Sequence, residues 1–351
     1  MQAPFVSVVI PGYNCAQYIA LTLKSVLSQN YPNFEVVFVD DGSTDDTRDA
    51  VAPFLDRIVY HHQANGGLAA ARNSGMCLAR GDFIAWLDAD DLCCTDRLLV
   101  QAAYLVSHPR IVATGTNFAA FDDVGIFDPA HAVRYYSQIR DAGLGALFPD
   151  TSDFGGLGVD WLPVPFSEAY RVHSGDIWRR IVFGNFIHPP TLMMRKAARE
   201  HAGWLRSGIN TAEDWDFIIR LAKVGPLAFI DKALLEYRYH VGQMSSPNSA
   251  TVAALSCIAV VESTMSEQAA LADPQLYREL AHTLAGYHSE AAYALAEFAP
   301  VKALRHLLKS WSSPQDWRYT ARLLARIAAP RAGFRLLRAL RSNNDSHLHR
   351  R

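Results

Sequence analysis

Three short runs rich in β-branched and aromatic residues constrain this chain most: Val6–Ile10 (VSVVI), Glu35–Val39 (EVVFV) and Phe83–Leu87 (FIAWL). Apolar runs of about four to eight residues closed by turn residues read as strands buried on both faces. The three are closed by Pro11–Gly12, by Asp40–Asp41–Gly42–Ser43 and by Asp88–Ala89–Asp90–Asp91. Helical patterns fill the gaps. Ile19, Leu23, Val26 and Leu27 share one face of a helix expected from about Ala16 to Ser28. Thr44 to about Leu55 reads as a short helix entered through polar caps, and Gly66–Leu78 as a small-residue helix after a Gly–Gly entry. Ile58–His61 adds a further strand. This alternation predicts an α/β domain with a mainly parallel central sheet covered by helices. Ligands then bind at the carboxyl ends of the strands, two of which carry clustered aspartates.

Further along, Asp122–Asp176 is rich in Gly, Pro and aromatics with poor periodicity, and reads as a functional loop or insertion. An ordered α/β pattern returns over Thr191–His240, with a helix expected at Glu213–Lys223 and a strand near Leu227–Ile230. Beyond Pro247 the chain is Ala- and Leu-rich with helical spacing, broken at Pro274, Pro300, Pro314 and Pro330. The expected division is therefore 1–245 as one domain, with 122–176 inserted, and 246–351 as a basic helical region.

Charge separates these parts. From Val301 onward twelve Lys or Arg face only Asp316 and Asp345, a net of +10 in a chain whose total is −2. The five cysteines, Cys15, Cys77, Cys93, Cys94 and Cys257, are odd in number and form no CxxC pair, which favours a reducing cytoplasm over a disulfide framework. Met1–Pro4 lead straight into a strand, so no secretory leader is expected. No apolar run reaches the roughly 18 residues that cross a bilayer.

Several residues can carry chemistry, each with a plainer reading beside it. Asp88 and Asp90 sit two apart after a strand. On an extended segment both carboxylates face one ligand, and such oxygens suit Mg²⁺ or Mn²⁺. A polar turn or helix cap is the plainer reading. Asp40 and Asp41 can contact a base or ribose, or simply shape a strand-to-helix turn. Glu213 and Asp214 open a helix, where acids are expected from the dipole; a carboxylate aimed into a cleft acts instead as a general base. Arg72 can reach phosphate or pair with an acid, and His240 is one of 13 histidines.

The ordered set is more specific than its parts. VSVVIPGYN, VVFVDDGSTDDT, NGGLAAARNSG, GDFIAWLDADD, AEDWDFIIRLA and YRYHVGQMS follow one another over roughly 240 residues, and together resemble the family 2 glycosyltransferases with their glycosyltransferase-A fold. The resemblance implies transfer of a sugar from a nucleotide-sugar, UDP-linked by default, to an acceptor hydroxyl with inversion. It implies Pro11, Tyr13, Asp40, Asp41 and Arg72 as nucleotide contacts, with Asp88 nearer the ribose. Asp90 and His240 would hold Mn²⁺ or Mg²⁺, Asp214 would be the catalytic base, and Glu213 and Asp91 would support them. No QxxRW sequence follows the ED element, which favours single addition over polymer synthesis.

Competing readings fail at the first loop. Pro11–Gly12–Tyr13–Asn14 holds no Lys or Arg before Lys24, as a triphosphate-gripping nucleotidyltransferase would need, and GxGxxG is absent. A nucleic-acid-binding tail would leave the first 240 residues unexplained, so no nucleic-acid partner is expected. A catalytically degenerate nucleotide- or sugar-binding protein is the alternative, against which Asp88, Asp90 and Asp214 all being present counts. In the tail, Trp311 and Trp317 lie among basic residues, and Arg322–Ile327 reads as a basic amphipathic helix. It suits an anionic membrane surface, hence a lipid-linked or other glycan acceptor at the inner face of the cytoplasmic membrane. It suits equally a basic face packed on the acidic remainder of the chain.

Overall fold

The computed structural model describes residues 2–156, 159, 161, 166, 168–240, 243, 250–311 and 317–328. The chain divides into two compact units, one of residues 1–208 and 213–243, the other of residues 209–212 and 244–351. Pro247, Pro314, Pro330 and every basic residue from Arg331 onward lie outside the described residues, as do the side chains of Trp317 and Arg318.

The first unit begins β1 (Val6–Gly12), α1 (Ile19–Leu27), β2 (Phe34–Asp40), α2 (Thr47–Val51), β3 (Val59–His62), α3 (Leu68–Leu78) and β4 (Phe83–Trp86). It continues through β5 (Leu92–Cys93), α4 (Arg97–Ser107), β6 (Ala113–Phe121), β7 (Ile126–Asp128), α5 (Ala132–Tyr135), α6 (Ser137–Ala142) and α7 (Leu144–Leu147). Then come β8 (Asp150–Phe154), β9 (Tyr170–Gly175), α8 (Trp178–Ile181), β10 (Met193–Arg195), α9 (Lys196–Ala202), α10 (Glu213–Val224) and β11 (Leu227–Arg238).

One sheet joins the strands in the order β3-β2-β1-β4-β10-β6-β11-β9-β8. Its first four strands are parallel, as are β6 and β11. β1 and β2 run in register from Val6↔Phe34 to Gly12↔Asp40, so the two strands end level. β10 is antiparallel to both neighbours, and β9 and β8 extend the far edge antiparallel.

Strands β1 and β2 are buried almost throughout, as their unbroken apolar runs require. Helix α3 covers them closely because Gly75 has no side chain. A Cβ there would collide with Val9 Cγ1 and press on Val39 Cγ2. On the other side of β4, buried Arg97 and Gln101 of α4 satisfy backbone that no strand pairs. Arg97 Nη2 donates to the Trp86 carbonyl at 2.8 Å, and Gln101 Nε2 to the Thr191 carbonyl at 2.9 Å.

Two stretches differ from the sequence expectation. The described residues of Asp122–Asp176 hold three short helices and three sheet strands, β7, β8 and β9, where an irregular loop or insertion was expected. Helices of four to six residues are too short to show a hydrophobic period. β11 extends to Arg238, well past Ile230, because it passes through two register shifts around Ala233 and exposes Asp231 and Lys232 there.

The second unit holds α11 (Ala250–Met265), α12 (Gln268–Leu271), α13 (Pro274–Leu295), α14 (Pro300–Ser310) and α15 (Trp317–Ala328). Asp273 caps α13, accepting from the Gln275 and Leu276 amides at 3.1 Å, with Pro274 at the first helical position. Ala292, Ala296, Ala303, Leu307 and Leu323 form a small core among the last three helices. No helix of the described residues is long and apolar enough to cross a membrane.

The Gly75 contact yields a test. Gly75→Val should cost roughly 1–3 kcal/mol by overpacking α3 against β1. A lower denaturant midpoint with an unchanged slope would be the sign, and wild-type stability would show that α3 can move aside.

Candidate active site

The carboxyl ends of β1, β2 and β4 converge, and two separate hydrogen-bonded systems form there. At the ends of β1 and β2, Asp40 is buried. Its Oδ1 accepts from the Ser43 amide at 2.9 Å and its Oδ2 from the Tyr60 hydroxyl at 2.8 Å. Asp41, equally buried, accepts from Gln63 Nε2 (2.7 Å), the Gly66 amide (2.9 Å) and the Gly67 amide (2.8 Å). Both acids thus shape the loops that follow β2 and β3. Pro11 is buried within β1, whereas Tyr13 is 52% exposed just beyond it. Asn14 follows with φ 49°, a left-handed turn that asparagine tolerates. Its Oδ1 accepts from the Thr44 amide at 2.8 Å, tying the loop after β1 to the loop after β2.

The second system is centred on Arg72 of α3. The side chain is fully enclosed, yet charged. Its Nη2 donates to Asp88 Oδ1 at 2.8 Å, its Nη1 lies 3.7 Å from Glu213 Oε1, and its guanidinium sits 4.9 Å over the Trp86 ring. Burial works against the charge, but Asp88, Glu213 and Asp214 more than offset it and hold Arg72 above its ordinary pKa. One cation therefore joins the end of β4 to the first turn of α10. Among the described residues Arg72 Nε and Glu213 Oε2 are buried without a hydrogen-bond partner.

Asp214 is the next residue on α10. Burial first, then the adjoining Glu213, raise it from 3.8 to about 7, with Arg72 and the Trp215 amide opposing. Three acids in the first turn satisfy the helix dipole, but only Asp216 has conventional partners, Arg206 and Arg220. Glu213 instead shares Arg72 with Asp88, and Asp214 Oδ1 accepts from the Trp215 amide at 2.7 Å.

After β4, the chain turns. The Asp91 amide donates back to the Asp88 carbonyl at 3.3 Å, so the aspartates do not lie on an extended segment. Asp88 consequently faces Arg72, while Asp90 Oδ2 lies 3.0 Å from His240 Nε2. The extended-strand argument for a shared direction gives way to this turn. Burial and then Asp88 raise Asp90 above the ordinary carboxylate range, with His240 opposing. The imidazole also rests on the Tyr18 ring, centroids 4.6 Å apart. Asp91 is wholly enclosed and well above the ordinary carboxylate pKa, through burial and then Asp90 and Asp88. It accepts from the Arg238 amide at 3.0 Å and holds the turn against β11.

A carboxylate and an imidazole this close, both partly exposed, are a donor pair that a divalent ion accepts. Among the described residues no group of three or more His, Cys, Asp or Glu could hold a metal by itself. Asp90 and His240 would supply two of the six positions of an octahedral Mg²⁺ or Mn²⁺, leaving the others to phosphate oxygens and water.

Two residues enter the neighbourhood unannounced by sequence. His188 is buried, stacks on Phe118 at 4.0 Å and meets the Tyr136 hydroxyl through Nδ1 at 3.0 Å. Burial, then His131, Arg72 and Arg97, lower His188 to about 3, so the ring is neutral. Tyr136 is raised by burial and then by nearby groups that include Asp214 and Asp88. It comes from the 122–176 stretch, where no periodic signal marks it.

Residues 7–162 match the family model described as glycosyl transferase family 2. An uncharacterized glycosyltransferase of Rickettsia typhi, RT0329, is 40% identical over 244 residues, 70% of this chain and 67% of the relative. A Bacillus subtilis protein provisionally named a teichuronic acid biosynthesis glycosyltransferase, TuaG, is 35% identical over 152 residues, 41% of this chain and 60% of that protein. The matched part spans only 35%, 52% and 20% of the length of three other curated relatives. Among solved structures, S. aureus TarS 1–349 with UDP-GlcNAc superposes with TM-score 0.56 at 16% identity, over 93% of this chain and 92% of that one. The mannosyltransferase PcManGT of Pyrobaculum calidifontis, with GDP-Man and Mn²⁺, gives 0.55 at 18% identity, over 94% and 81%. The fold is of the glycosyltransferase-A type. By its family match, its shared fold and its identity with the Rickettsia typhi protein, this chain belongs to glycosyl transferase family 2.

Proposed function

We propose that this chain is an inverting glycosyltransferase that adds one sugar, from a nucleotide-sugar donor, to an acceptor hydroxyl. The observation that carries the reading is Asp214, a partly exposed carboxylate raised to about 7 beside the Asp88–Arg72–Glu213 cluster, whose charges it feels. A base poised near neutrality is what proton abstraction from a hydroxyl needs. As the acceptor oxygen bonds to the anomeric carbon, its proton passes to Asp214. The bond from that carbon to the phosphate oxygen breaks, and the nucleoside diphosphate leaves with the electron pair. Attack opposite the leaving group inverts the centre.

Asp40, Asp41, Pro11 and Tyr13 frame the nucleoside, with Asp88 beside the ribose and Arg72 holding Asp88 in place. Asp90 and His240 would hold Mn²⁺ or Mg²⁺, and Asp91 fixes the turn that presents Asp90. When bound, the ion supplies positive charge beside the diphosphate. Residues 1–245 act as the catalytic domain in this reading, and 122–176 lie on the acceptor side. The UDP-GlcNAc carried by TarS supports a UDP-sugar donor, and the GDP-Man and Mn²⁺ of PcManGT support a nucleotide-sugar and a divalent ion. The name of TuaG supports an envelope glycan acceptor, and the basic 246–351 region supports contact with the anionic inner face of the cytoplasmic membrane.

Three measurements test the reading. Asp214→Asn should lower transfer by at least ~10²-fold while leaving nucleotide affinity near wild type; normal turnover would remove Asp214 from the mechanism. Because the free base is the competent form and its folded pKa is raised to about 7, kcat/KM should fall as pH drops below about 7. A flat profile down to pH 5 would place the base elsewhere. Calorimetric titration of UDP, GDP and dTDP, each with Mn²⁺ and with EDTA, should show metal-dependent binding of one nucleotide, weakened by Asp90→Ala. Binding of none of them by folded protein would favour a catalytically degenerate binding protein.

A further inference from the structure

Helix α14 presents to solvent the side that a soluble helix normally buries. Val301, Leu304, Leu308 and Trp311 are between 41% and 66% exposed, and Phe298, just before the helix, is 85% exposed. The adjoining side, Ala303, Leu307 and Ser310, is the one that packs into the unit. At ~100° per residue the four exposed apolar positions occupy an arc of about 80°. Lys302, Arg305 and Lys309 form an exposed row along one border of that arc. The helix contains no Asp or Glu.

We propose that this face of α14 is an interfacial surface that seats on an anionic lipid bilayer. An apolar row bordered by cations is the arrangement by which a helix lies in the headgroup region, its long basic side chains reaching phosphate as the apolar row sinks toward the acyl chains. Trp311 ends the row, and its amphipathic ring suits that boundary. Charge argues against the other occupants. A second copy packed through the same row would set two basic borders together with no acid on either helix to meet them. The remaining segment of this chain, 329–351, carries Arg331, Arg335, Arg338, Arg341, Arg350 and Arg351 against Asp345 alone, so it too brings like charge. The inference rests on the reading that the C-terminal region meets an anionic membrane, and it assigns that contact to α14, where the sequence pointed to Arg322–Ile327.

The test is flotation of the full-length protein with vesicles of phosphatidylcholine, alone or with 30 mol% (roughly a third) phosphatidylglycerol. Wild type should float only with the anionic vesicles, and less in high salt. Leu304→Gln/Leu308→Gln, two exposed positions that keep helix-forming residues, should lower the bound fraction at least tenfold with an unchanged melting temperature. Lys302→Gln/Arg305→Gln should lower it and weaken its salt dependence, while Arg322→Gln should matter less. If wild type binds no vesicle, the membrane reading falls and this inference with it. Equal flotation of wild type and the α14 variants would sink this inference alone. A shift from dimer to monomer in the Leu304→Gln/Leu308→Gln protein, with flotation intact, would make the face a self-association surface and overturn the proposal.

Discussion

A guanidinium taken out of water must be repaid locally, and the architecture around Arg72 is organised by that demand. Removing one partner from such a cluster leaves an uncompensated buried charge, at a typical cost of about 3–5 kcal/mol. Asp88 and Glu213 therefore cannot drift from Arg72 independently, although they come from the end of β4 and the start of α10. The Trp86 ring closes the remaining side of the cation. One side chain on α3 thus fixes the end of β4, which follows it in sequence, to α10, which lies far along the chain. The raised Asp214 is a by-product of the same crowding, since burial and Glu213 act on it while Arg72 is already engaged.

Around this cluster the backbone does the finer positioning. Level ends of β1 and β2 place Gly12 opposite Asp40, and the Asp41 amide donates to the Gly12 carbonyl at 2.8 Å. Asp41 then gathers the Gly66 and Gly67 amides, which sets where α3 begins. Gly75, two turns later, sets how near α3 lies to the sheet. The position of Arg72 is thus the sum of a carboxylate-held loop and a missing Cβ.

Much of the fold was legible because buried parallel strands cannot alternate and so leave dense apolar runs, as in Val6–Ile10 and Phe83–Leu87. The ordered family segments then pointed to Arg72, Asp88 and Glu213, which the structure brings within one cluster. What the sequence could not carry was direction. Asp88 and Asp90 share a spacing that fits an extended strand, but the Asp88–Asp91 turn sends them to different partners. Tyr136 and His188 meet across 52 residues, with no local pattern to predict the pairing. The short helices between Ala132 and Leu147 are stabilised by packing and leave no period to read. In the helical unit, composition drew attention to Arg322–Ile327, whereas exposure, which only a structure supplies, singles out α14.

The bulged strand β11 has a dynamic consequence. It is paired on both sides along its first part, by β6 and β9, and again near its end by β5. A strand cross-linked at so many points opens only with the sheet as a whole, so its amides belong to the slowest class in hydrogen exchange. His240 lies two residues beyond its last paired position. The loops after β1 and β2 hang instead on side-chain bonds such as those of Asn14 and Ser43, which break locally and quickly. Opening is therefore expected to be uneven: the loops after β1 and β2 open locally, while β11 as far as Arg238 opens only with the sheet.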